Sequence, residues 1–472
     1  MHKLTTSRRA LLAGIAALPA ATLLPRIAHA ASGKVRIVMK DLLTSNPEDV
    51  AHIERIQAAL AERGHDITLE IVDLPSEGYA EKLNLMLLSG DIPDLIYFQG
   101  GDEQISSQGV LRDLNPLIAE TEYLADALWP HNEARMANYP YLMYVYPPRT
   151  KAPVMRADLL AATGMDAPTD LDGWDVMLRA IPGTALDGTP VTHGIITPNN
   201  TAEMDAVFDP AFGVTSTWMK NDAGEWISSR VSDAEREKLR WYASLYADGT
   251  LDPEFITSNW EVKEDKFYTG QVGVVMGTAG PVVGIYEAKM AQVNPGAELM
   301  LLTPPAGIQA IDVSKESRGF AIPVTTENTD AVMAFLDFIA SPEGQFFDRL
   351  GFEGTHYTRD GDTLTATDRF GEWYPRFIIT DPSVYTPPLS ALSPLAQASL
   401  DQGVEYFRPD NSFVFPPELA ASVDAAESFY RTAVFRFVSG ETSVEDDWDA
   451  FVDGWMAEGG AEMTDYARTV LG

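Results

Sequence analysis

The sequence predicts an α/β protein in which parallel or mixed sheets are flanked by helices. Strand-like and helix-like segments alternate through residues 34–98, and 45% of the 472 residues are hydrophobic, which is ordinary for a globular protein with a sizeable core. Parallel strands need a helical crossover, so this alternation is typical of a sheet covered on both faces. At roughly 150 residues per domain, the length allows about three units, or two large lobes and a leader.

The first part of the chain gives three strands and two helices. Strands are expected at 34–39, 67–72 and 95–98, and helices after Asn46-Pro47 and at 79–88. Asn46 suits the N-cap position and Pro47 the first helical turn. Ligands bind such sheets beyond the carboxyl ends of the strands. The loops after Met39 and Phe98 are therefore candidate parts of a site.

The rest of the chain is less regular and more helical. Strands are expected at 139–146, 271–276 and 319–323, and helices at 170–181 and 234–246, from 329 or 330, from 342 and from 443. The first of these strands runs into Pro147-Pro148, which indicates a stiff crossing segment. Asp170, Asp172 and Asp175 superficially resemble a calcium loop, but the glycine comes too early, so we interpret them as a helix-capping cluster.

The first thirty residues predict an export signal. They carry four basic residues, among them the pair Arg8 and Arg9, and no acidic residue, and their apolar run at 10–24 is too short to span a bilayer. The stretch SRRALL resembles a twin-arginine signal, with an ordinary secretory signal as the alternative. The mature chain is expected to start near Ala31 and to be free in the periplasm, because no other segment is apolar enough to span a membrane and no cysteine offers a lipid anchor.

Charge and composition exclude several functions. The chain has 34 basic and 69 acidic residues, a formal charge of −35, so it should repel nucleic acids and anionic bilayers. Because it has no cysteine, disulfides, thiolate metal sites and a cysteine nucleophile are excluded.

Motifs for common catalytic and cofactor chemistry are absent from the sequence. It contains no GxSxG, HExxH, GxxxxGK or GxGxxG motif. The five histidines outside the leader show no metal-ligand spacing. We therefore expect no catalytic residue, no cofactor and no metal. With 69 carboxylates, however, some pair could lie at the separation that glycosidases use, so a hydrolase stays unsupported but open.

Aromatic residues that do not belong to the apolar face of a predicted helix are more informative about a binding site. Phe98, Trp218 and Trp373 are expected at strand ends or in loops, where a flat apolar face suits the C–H face of a sugar ring. Core packing is the alternative for each ring. Gln99 and Asp102 follow Phe98 and are suited to hydrogen-bond hydroxyl groups, with turn formation as their alternative role.

Arg149 is the candidate cation of the site. It follows the two prolines in the stretch PPRTK and is suited to bind a carboxylate or a pair of hydroxyls with both ends of its guanidinium. A surface ion pair is an equally open interpretation in so acidic a protein.

Six segments in the same order resemble the family-1 extracellular solute-binding proteins of ABC importers. The segments are SGDIPDLIYFQG (89–100), YVYPPRTKAPVMRADLLAATGMDAPTDLDGW (144–174), YADGTLDPEF (246–255), FYTGQVGVVMGTAG (267–280), FLDFIASPEGQ (335–345) and GFEGTHYTRDGD (351–362). The last one is similar to the oligosaccharide-binding subgroup that includes lipoprotein LipO and the alginate binders.

The resemblance implies a type II periplasmic binding fold, with two α/β lobes joined by crossing hinge segments and a ligand in the cleft between them. The crossings map near Tyr146, near 277–280 and near Ser341. Lobe one would be 33–146 plus 281–341, and lobe two 147–280 plus 342–472. Some relatives bind calcium in an acidic loop, but the corresponding stretch 185–194 has a single acidic residue, Asp187, which puts that ion in doubt.

The resemblance also implies where the substrate binds. In the family, the loops after the first and third predicted strands and the crossing segment touch the ligand, which here implies Asp41, Phe98, Gln99, Asp102, Tyr146 and Arg149. Trp218, Arg318 and Trp373 complete the set of expected substrate-binding residues.

We interpret the sequence as a periplasmic receptor that presents a saccharide or related polyol to a membrane permease. A monomer is expected. A secreted glycoside hydrolase or lyase is one alternative, and a binder of a non-sugar solute, such as an opine or polyamine, is another.

Overall fold

The computed structural model describes residues 30–143, 146–186, 188–311, 318–381 and 384–472. The predicted export signal with Arg8 and Arg9, Tyr144 of the predicted strand 139–146, and Asp187 of the stretch that corresponds to the relatives' calcium loop lie outside these ranges. In the part that is described, no helix combines the length and the apolar character needed to cross a bilayer.

The strands are short and fall into two larger sheets and four hairpin-sized pairs. They are β1 (Ser32–Val38), β2 (Asp66–Ile71), β3 (Leu95–Gln99), β4 (Lys151–Arg156), β5 (Ala185–Leu186), β6 (Thr189–Pro190), β7 (His193–Ile195), β8 (Trp218–Lys220), β9 (Trp226–Ser228), β10 (Val272–Thr278), β11 (Leu299–Leu301), β12 (Gln309–Ile311), β13 (Arg318–Ala321), β14 (Tyr357–Asp360), β15 (Thr363–Ala366) and β16 (Phe407–Pro409).

Helices follow most strands and dominate the C-terminal part. They are α1 (Pro47–Glu62), α2 (Tyr79–Leu88), α3 (Asp102–Ser106), α4 (Asn115–Ile118), α5 (Leu124–Ala127), α6 (His131–Asn138), α7 (Ala157–Thr163), α8 (Leu171–Ala180), α9 (Ala202–Phe212), α10 (Asp233–Ala247), α11 (Trp260–Tyr268), α12 (Pro281–Val293), α13 (Thr329–Ala340), α14 (Pro342–Leu350), α15 (Pro394–Tyr406), α16 (Ala420–Val438), α17 (Val444–Trp455) and α18 (Ala461–Leu471).

The first sheet has the strand order β13-β3-β1-β2. β1 is parallel to β2 and β3, with Ile37 opposite Leu95, while β13 is antiparallel to β3, with Arg318 opposite Gln99. Because the parallel strands are joined through α1 and α2, their carboxyl ends meet at one edge. The predicted alternation of strands and helices is thus confirmed, and it brings the loops after β1 and β3 together.

The second sheet is mixed, with the order β11-β4-β10-β7. β10 is parallel to β7 and antiparallel to β4, so the beginning of β4 lies beside the carboxyl end of β10. Lys151 pairs with Thr278 at this edge.

Each sheet has its own hydrophobic core. Buried residues of 31–143 and 320–340 form the first core, and buried residues of 152–302 and 396–467 form the second. Phe377 and Ile378 also pack in the first core. Residues 281–302 lie in the second core although the sequence placed them in lobe one, because β11 pairs with β4 and α12 packs against β10.

Local capping signals predicted several helix starts correctly. The side chain of Asn46 accepts a hydrogen bond from Glu48 N at 3.1 Å, and that of Asp170 accepts one from Gly173 N at 2.8 Å. The acidic cluster at α8 therefore caps a helix, as predicted. Ser341 and Ser443 cap α14 and α17 in the same way.

The strand predicted at 139–146 is wrong for the residues described. α6 reaches Asn138, the backbone then turns, and only Met143 makes a bridge, to Phe320. Pro140 has no N–H to donate to a strand ladder, which explains why the apolar run does not pair.

Candidate functional site

Residues from three segments meet at the carboxyl edge of the first sheet. Gln99 ends β3 and lies opposite Arg318, the first residue of β13. Asp41 follows β1 with φ 64°, a left-handed conformation that a residue with a side chain rarely adopts. Such strained positions often occur at functional sites. Gln99 and Arg318 are half-buried and Asp41 is exposed, so all three have surface for a ligand.

Tyr374 is the aromatic residue that this edge presents to solvent. It is 53% exposed, although both nearby Trp373 and Arg376 are buried. Burial of its hydroxyl end raises the pKa of Tyr374, Arg318 opposes that change, and the charge of Asp41 adds to it. The phenol therefore lies close to the charged groups of the edge, while much of its ring stays open.

Three further tyrosines pack beside this surface, of which Tyr79 and Tyr97 are buried and Tyr146 is half-buried. Tyr146 lies edge-on to Tyr97, with ring centroids 6.4 Å apart, and the Tyr79 hydroxyl donates to Tyr97 O at 2.7 Å. Burial raises the pKa of Tyr79 and of Tyr146, so both phenols stay protonated. Tyr146 comes from the crossing segment and is half-buried at this edge.

A buried carboxylate holds the segment that bears Tyr374. Asp348 accepts hydrogen bonds from Arg376 N at 2.9 Å and from Phe377 N at 3.0 Å. Its backbone carbonyl accepts the indole N–H of Trp373 at 2.8 Å. The segment is therefore attached to α14 on both sides of Tyr374, through the indole of Trp373 and through the backbone of Arg376 and Phe377.

The same carboxylate is attached to α1 through a histidine. Arg55 donates to His52 Nδ1 at 2.9 Å, so the ring proton of His52 is on Nε2, which lies 3.1 Å from Asp348 Oδ1. Burial lowers the pKa of His52, with Asp348 opposing that change. Arg376 Nε also donates to Asp49 of α1 at 2.9 Å. The segment that contains Tyr374 is thus held by a neutral histidine and by the ion pairs around it.

The three aromatic residues expected to face the ligand are in the cores instead. Phe98 is 0%, Trp218 1% and Trp373 4% exposed. Phe98 packs in the first core, Trp218 stacks on Phe413 at 5.8 Å, and Trp373 lies edge-on to His52 at 5.2 Å. The expectation failed because remote segments cover these strand-end and loop positions, and no ring surface is left for a ligand.

Asp102 also has a structural position rather than a ligand-facing one. It is buried, accepts a hydrogen bond from the Tyr141 hydroxyl at 3.3 Å and lies near Arg135. Burial raises the pKa of Asp102, and the positive charge of Arg135 opposes that change. This carboxylate attaches α3 to the segment 131–141, which corrects its expected role.

Four of the other expected residues lie at the first edge. Asp41, Gln99, Tyr146 and Arg318 are the four. Arg149 is half-buried in the crossing segment that leads to β4. The sequence analysis did not include Tyr374 among the expected substrate-binding residues. The signal that was available is its position directly after Trp373, outside the apolar face of any predicted helix.

The second sheet presents charged groups at its own carboxyl edge. Lys151 Nζ lies 3.1 Å from Glu203 Oε1, and Lys263 Nζ lies 2.9 Å from Glu203 Oε2. Asn199, exposed in the loop after β7, has φ 56°. Among the described residues other than glycine, Asp41 and Asn199 have positive φ, and each follows a parallel strand of one of the two sheets.

A separate cavity of about 100 Å³ lies beside α9 and is lined by carboxylates and hydroxyls, including Asp205, Asp209 and Asp410. Asp205 and Asp209 are paired with the buried Lys238 at 3.0 and 2.6 Å. Across the described ranges, no group of three or more histidine or carboxylate side chains is arranged to hold a metal ion.

Solved structures with a similar architecture show which fold the chain has. The alginate-binding protein AlgQ2, solved without calcium ion, superposes with a TM-score of 0.62 at 18% identity, covering 92% of this chain and 97% of AlgQ2. An HMO-binding, ABC-transporter-associated solute-binding protein of Bifidobacterium longum infantis gives 0.65 at 15% identity, covering 93% and 98%. The N-glycan transport solute-binding protein NgtS of Streptococcus pneumoniae gives 0.66 at 15% identity, also covering 93% and 98%. The fold is therefore that of the two-lobe periplasmic binding proteins, as predicted.

The family follows from sequence comparison. The model for bacterial extracellular solute-binding proteins matches residues 45–346, and the chain belongs to this family. Lipoprotein LipO of Bacillus subtilis (strain 168) is 22% identical over 325 residues, which are 64% of this chain and 64% of LipO. Membership places the protein outside the cytoplasm and in a class of binding proteins.

Proposed function

We propose that the protein captures a saccharide or related polyol between two lobes and delivers it to the membrane permease of an ABC importer. The observation that carries this proposal is the half-exposed Tyr374 near Arg318, which lies opposite Gln99 at the carboxyl edge of the first sheet. An open aromatic face with hydrogen-bonding neighbours suits a sugar ring. The proteins of similar structure support the same proposal, since they are an alginate-binding, an HMO-binding and an N-glycan transport protein.

The two cores suggest revised boundaries for the lobes. Lobe one would comprise about 31–143 and 320–378, and lobe two about 151–302 and 394–472. The second crossing then lies at 303–319 rather than 277–280, and the third lies after Ile378 rather than near Ser341. The packing of α14 against α1 and α13 supports the later third crossing.

Closure of the two lobes would remove water from the ligand without any covalent step. A closed, ligand-bound conformation is a state that a permease can distinguish from the open one. The competing enzyme proposal requires two facing carboxylates and a changed product. We therefore propose that the protein releases its solute unmodified.

Mass spectrometry of small molecules that copurify with the protein, followed by thermal-shift titration, tests this function. A saccharide that raises the melting temperature and is recovered intact at one equivalent is the expected result. Conversion of that saccharide would support the hydrolase instead. Stabilisation by peptides, opines or polyamines, with no response to any saccharide, would refute the substrate class.

We also propose that the protein reaches the periplasm through a twin-arginine signal and acts there as a monomer. Replacing Arg8 and Arg9 by lysine should block export if that signal operates, whereas an ordinary secretory signal should tolerate the change. Sedimentation of the mature protein with and without ligand would measure its oligomeric state.

A further inference from the structure

Two lysine side chains share one carboxylate at the carboxyl edge of the second sheet. Besides their ion pairs with Glu203, Lys263 donates to Met276 O at 2.9 Å and Lys151 reaches Thr278 Oγ1 at 3.4 Å. All of these contacts lie at the end of β10. This triad of Lys151, Glu203 and Lys263 therefore holds two positive charges and one negative charge.

The next charged groups do not neutralise the triad. Glu264 is the other carboxylate that acts on Lys263, and it is paired with Lys289 at 3.1 Å. Three ammonium groups thus face two carboxylates. Glu203 is in the first turn of α9, where the N-terminal end of a helix stabilises the ionised carboxylate. Among the described residues that these contacts join, the positive charges exceed the negative ones by one.

The excess positive charge is accessible at one of the two lysines of the triad. Lys263 is 2% exposed, whereas the side chain of Lys151 is 24% exposed. Burial lowers the pKa of Lys263, and Glu203 opposes that change. Lys263 therefore acts as an internal support for Glu203, and Lys151 is the group that a solute can reach.

The backbone of Lys151 is held in place at the point where the chain enters the second sheet. The side chain of Gln309 accepts from Lys151 N at 2.8 Å and donates to Lys151 O at 2.6 Å. Lys151 also lies beside the carboxyl end of β10, where ligands of such sheets bind. The ammonium group is thus preorganised at a ligand-binding edge.

We propose that Lys151 binds a carboxylate of the solute, so that the saccharide captured is an acidic one, such as a uronic-acid oligosaccharide. This inference rests on the proposed saccharide function and names its substrate class. A chain of formal charge −35 repels an anionic solute at long range, so a local positive group is needed to hold one. A neutral sugar offers the ammonium group only hydroxyl acceptors, which bind it less strongly than a carboxylate does.

Isothermal titration with matched pairs of trisaccharides tests the proposal. Trimers of galacturonate, glucuronate and mannuronate are each compared with their carboxyl-reduced counterparts, for the wild type and for Lys151→Gln, Glu203→Gln and Lys34→Gln. Lys34 is an exposed lysine paired with Glu70 on the first sheet, so its replacement is the matched control. Melting temperatures report whether each variant is folded. Lys151→Arg, which keeps the positive charge, is added in case Lys151→Gln does not fold.

The expected result is that at least one acidic trimer binds about 10- to 100-fold more tightly than its reduced form. Lys151→Gln should remove that preference, Lys151→Arg and Lys34→Gln should keep it, and Glu203→Gln should strengthen it. If every pair that binds does so equally, or the neutral member binds better, the inference is overturned while the saccharide function stands. If saccharides fail as a class, both acidic and neutral, the proposed function itself fails.

Discussion

The carboxylate of Asp348 lies 3.1 Å from His52 Nε2, across 296 positions of the chain. Its two oxygens also accept the backbone N–H groups of Arg376 and Phe377. One side chain therefore joins α1, α14 and the segment that presents Tyr374. The aromatic residue that we propose to contact the solute is thus supported by a buried polar network rather than by a regular strand or helix.

Replacing Asp348 by asparagine should lower the free energy of unfolding by about 3 kcal/mol, because removing one partner of a buried charged network leaves the others uncompensated. Urea denaturation would measure the loss. Asp360→Asn, in the exposed β14–β15 hairpin, is the matched control and should change stability by less than about 0.5 kcal/mol. Equal effects of the two substitutions would contradict the role given to Asp348.

Removing the ring of Tyr374 should weaken saccharide binding without unfolding the protein. We expect Tyr374→Ala to raise the dissociation constant about threefold to tenfold, which is the usual contribution of one aromatic contact. The melting temperature of the free protein should stay the same because the side chain is 53% exposed. Tyr374→Phe keeps the ring and should bind nearly as well as the wild type; a loss as large as that of alanine would show that the hydroxyl, not the ring face, matters.

Acidification should destabilise the protein through its buried histidines. Burial, reinforced by Arg135, lowers the pKa of His131 from 6.5 to about 4, and burial also lowers that of His52. Between those values the unfolded chain binds a proton that the folded one does not, so stability is complete above pH 6.5 and falls as the pH drops toward 4. For His131 the change corresponds to about 3 kcal/mol.

Chemical denaturation between pH 7.5 and pH 4.5 would measure this dependence. His131→Gln should flatten the curve, because the variant has no group to titrate at that position. Parallel curves for the wild type and the variant would contradict the assignment to His131.

Adding a methyl group at Gly403 should disturb the packing of α15 on the crossing segment. A Cβ there would clash directly with Thr150 Oγ1 and lie 3.3 Å from Ala279 Cβ. We expect Gly403→Ala to cost about 1–3 kcal/mol of stability. Gly371→Ala is the control, because a Cβ at that position has open space. Calorimetry on both variants would decide, and equal melting temperatures would show that α15 can move away from Thr150 without cost.

Local signals were sufficient to predict the first three strands and several helix starts. The N-caps Asn46, Asp170, Ser341 and Ser443 and the apolar strands at 34–39 and 95–98 depend on residues within a few positions of one another. The same is true of the strand–helix alternation that predicted parallel sheets. Pro140 was the local signal that should have argued against a strand at 139–146.

The sequence by itself determined the fold class, because the alternation of strands and helices follows from periodicity and turn chemistry. It also carried the resemblance to the family, and that resemblance, with the rule that ligands bind beyond the ends of parallel strands, pointed to the loops after β1 and β3. Only the tertiary structure decided which aromatic rings are covered. Phe98, Trp218 and Trp373 are buried by segments far away in the chain, and Tyr374 is left open because the contacts of Asp348 turn its neighbours inward. Burial of a ring depends on such long-range contacts, and a single sequence does not state which distant segments will meet.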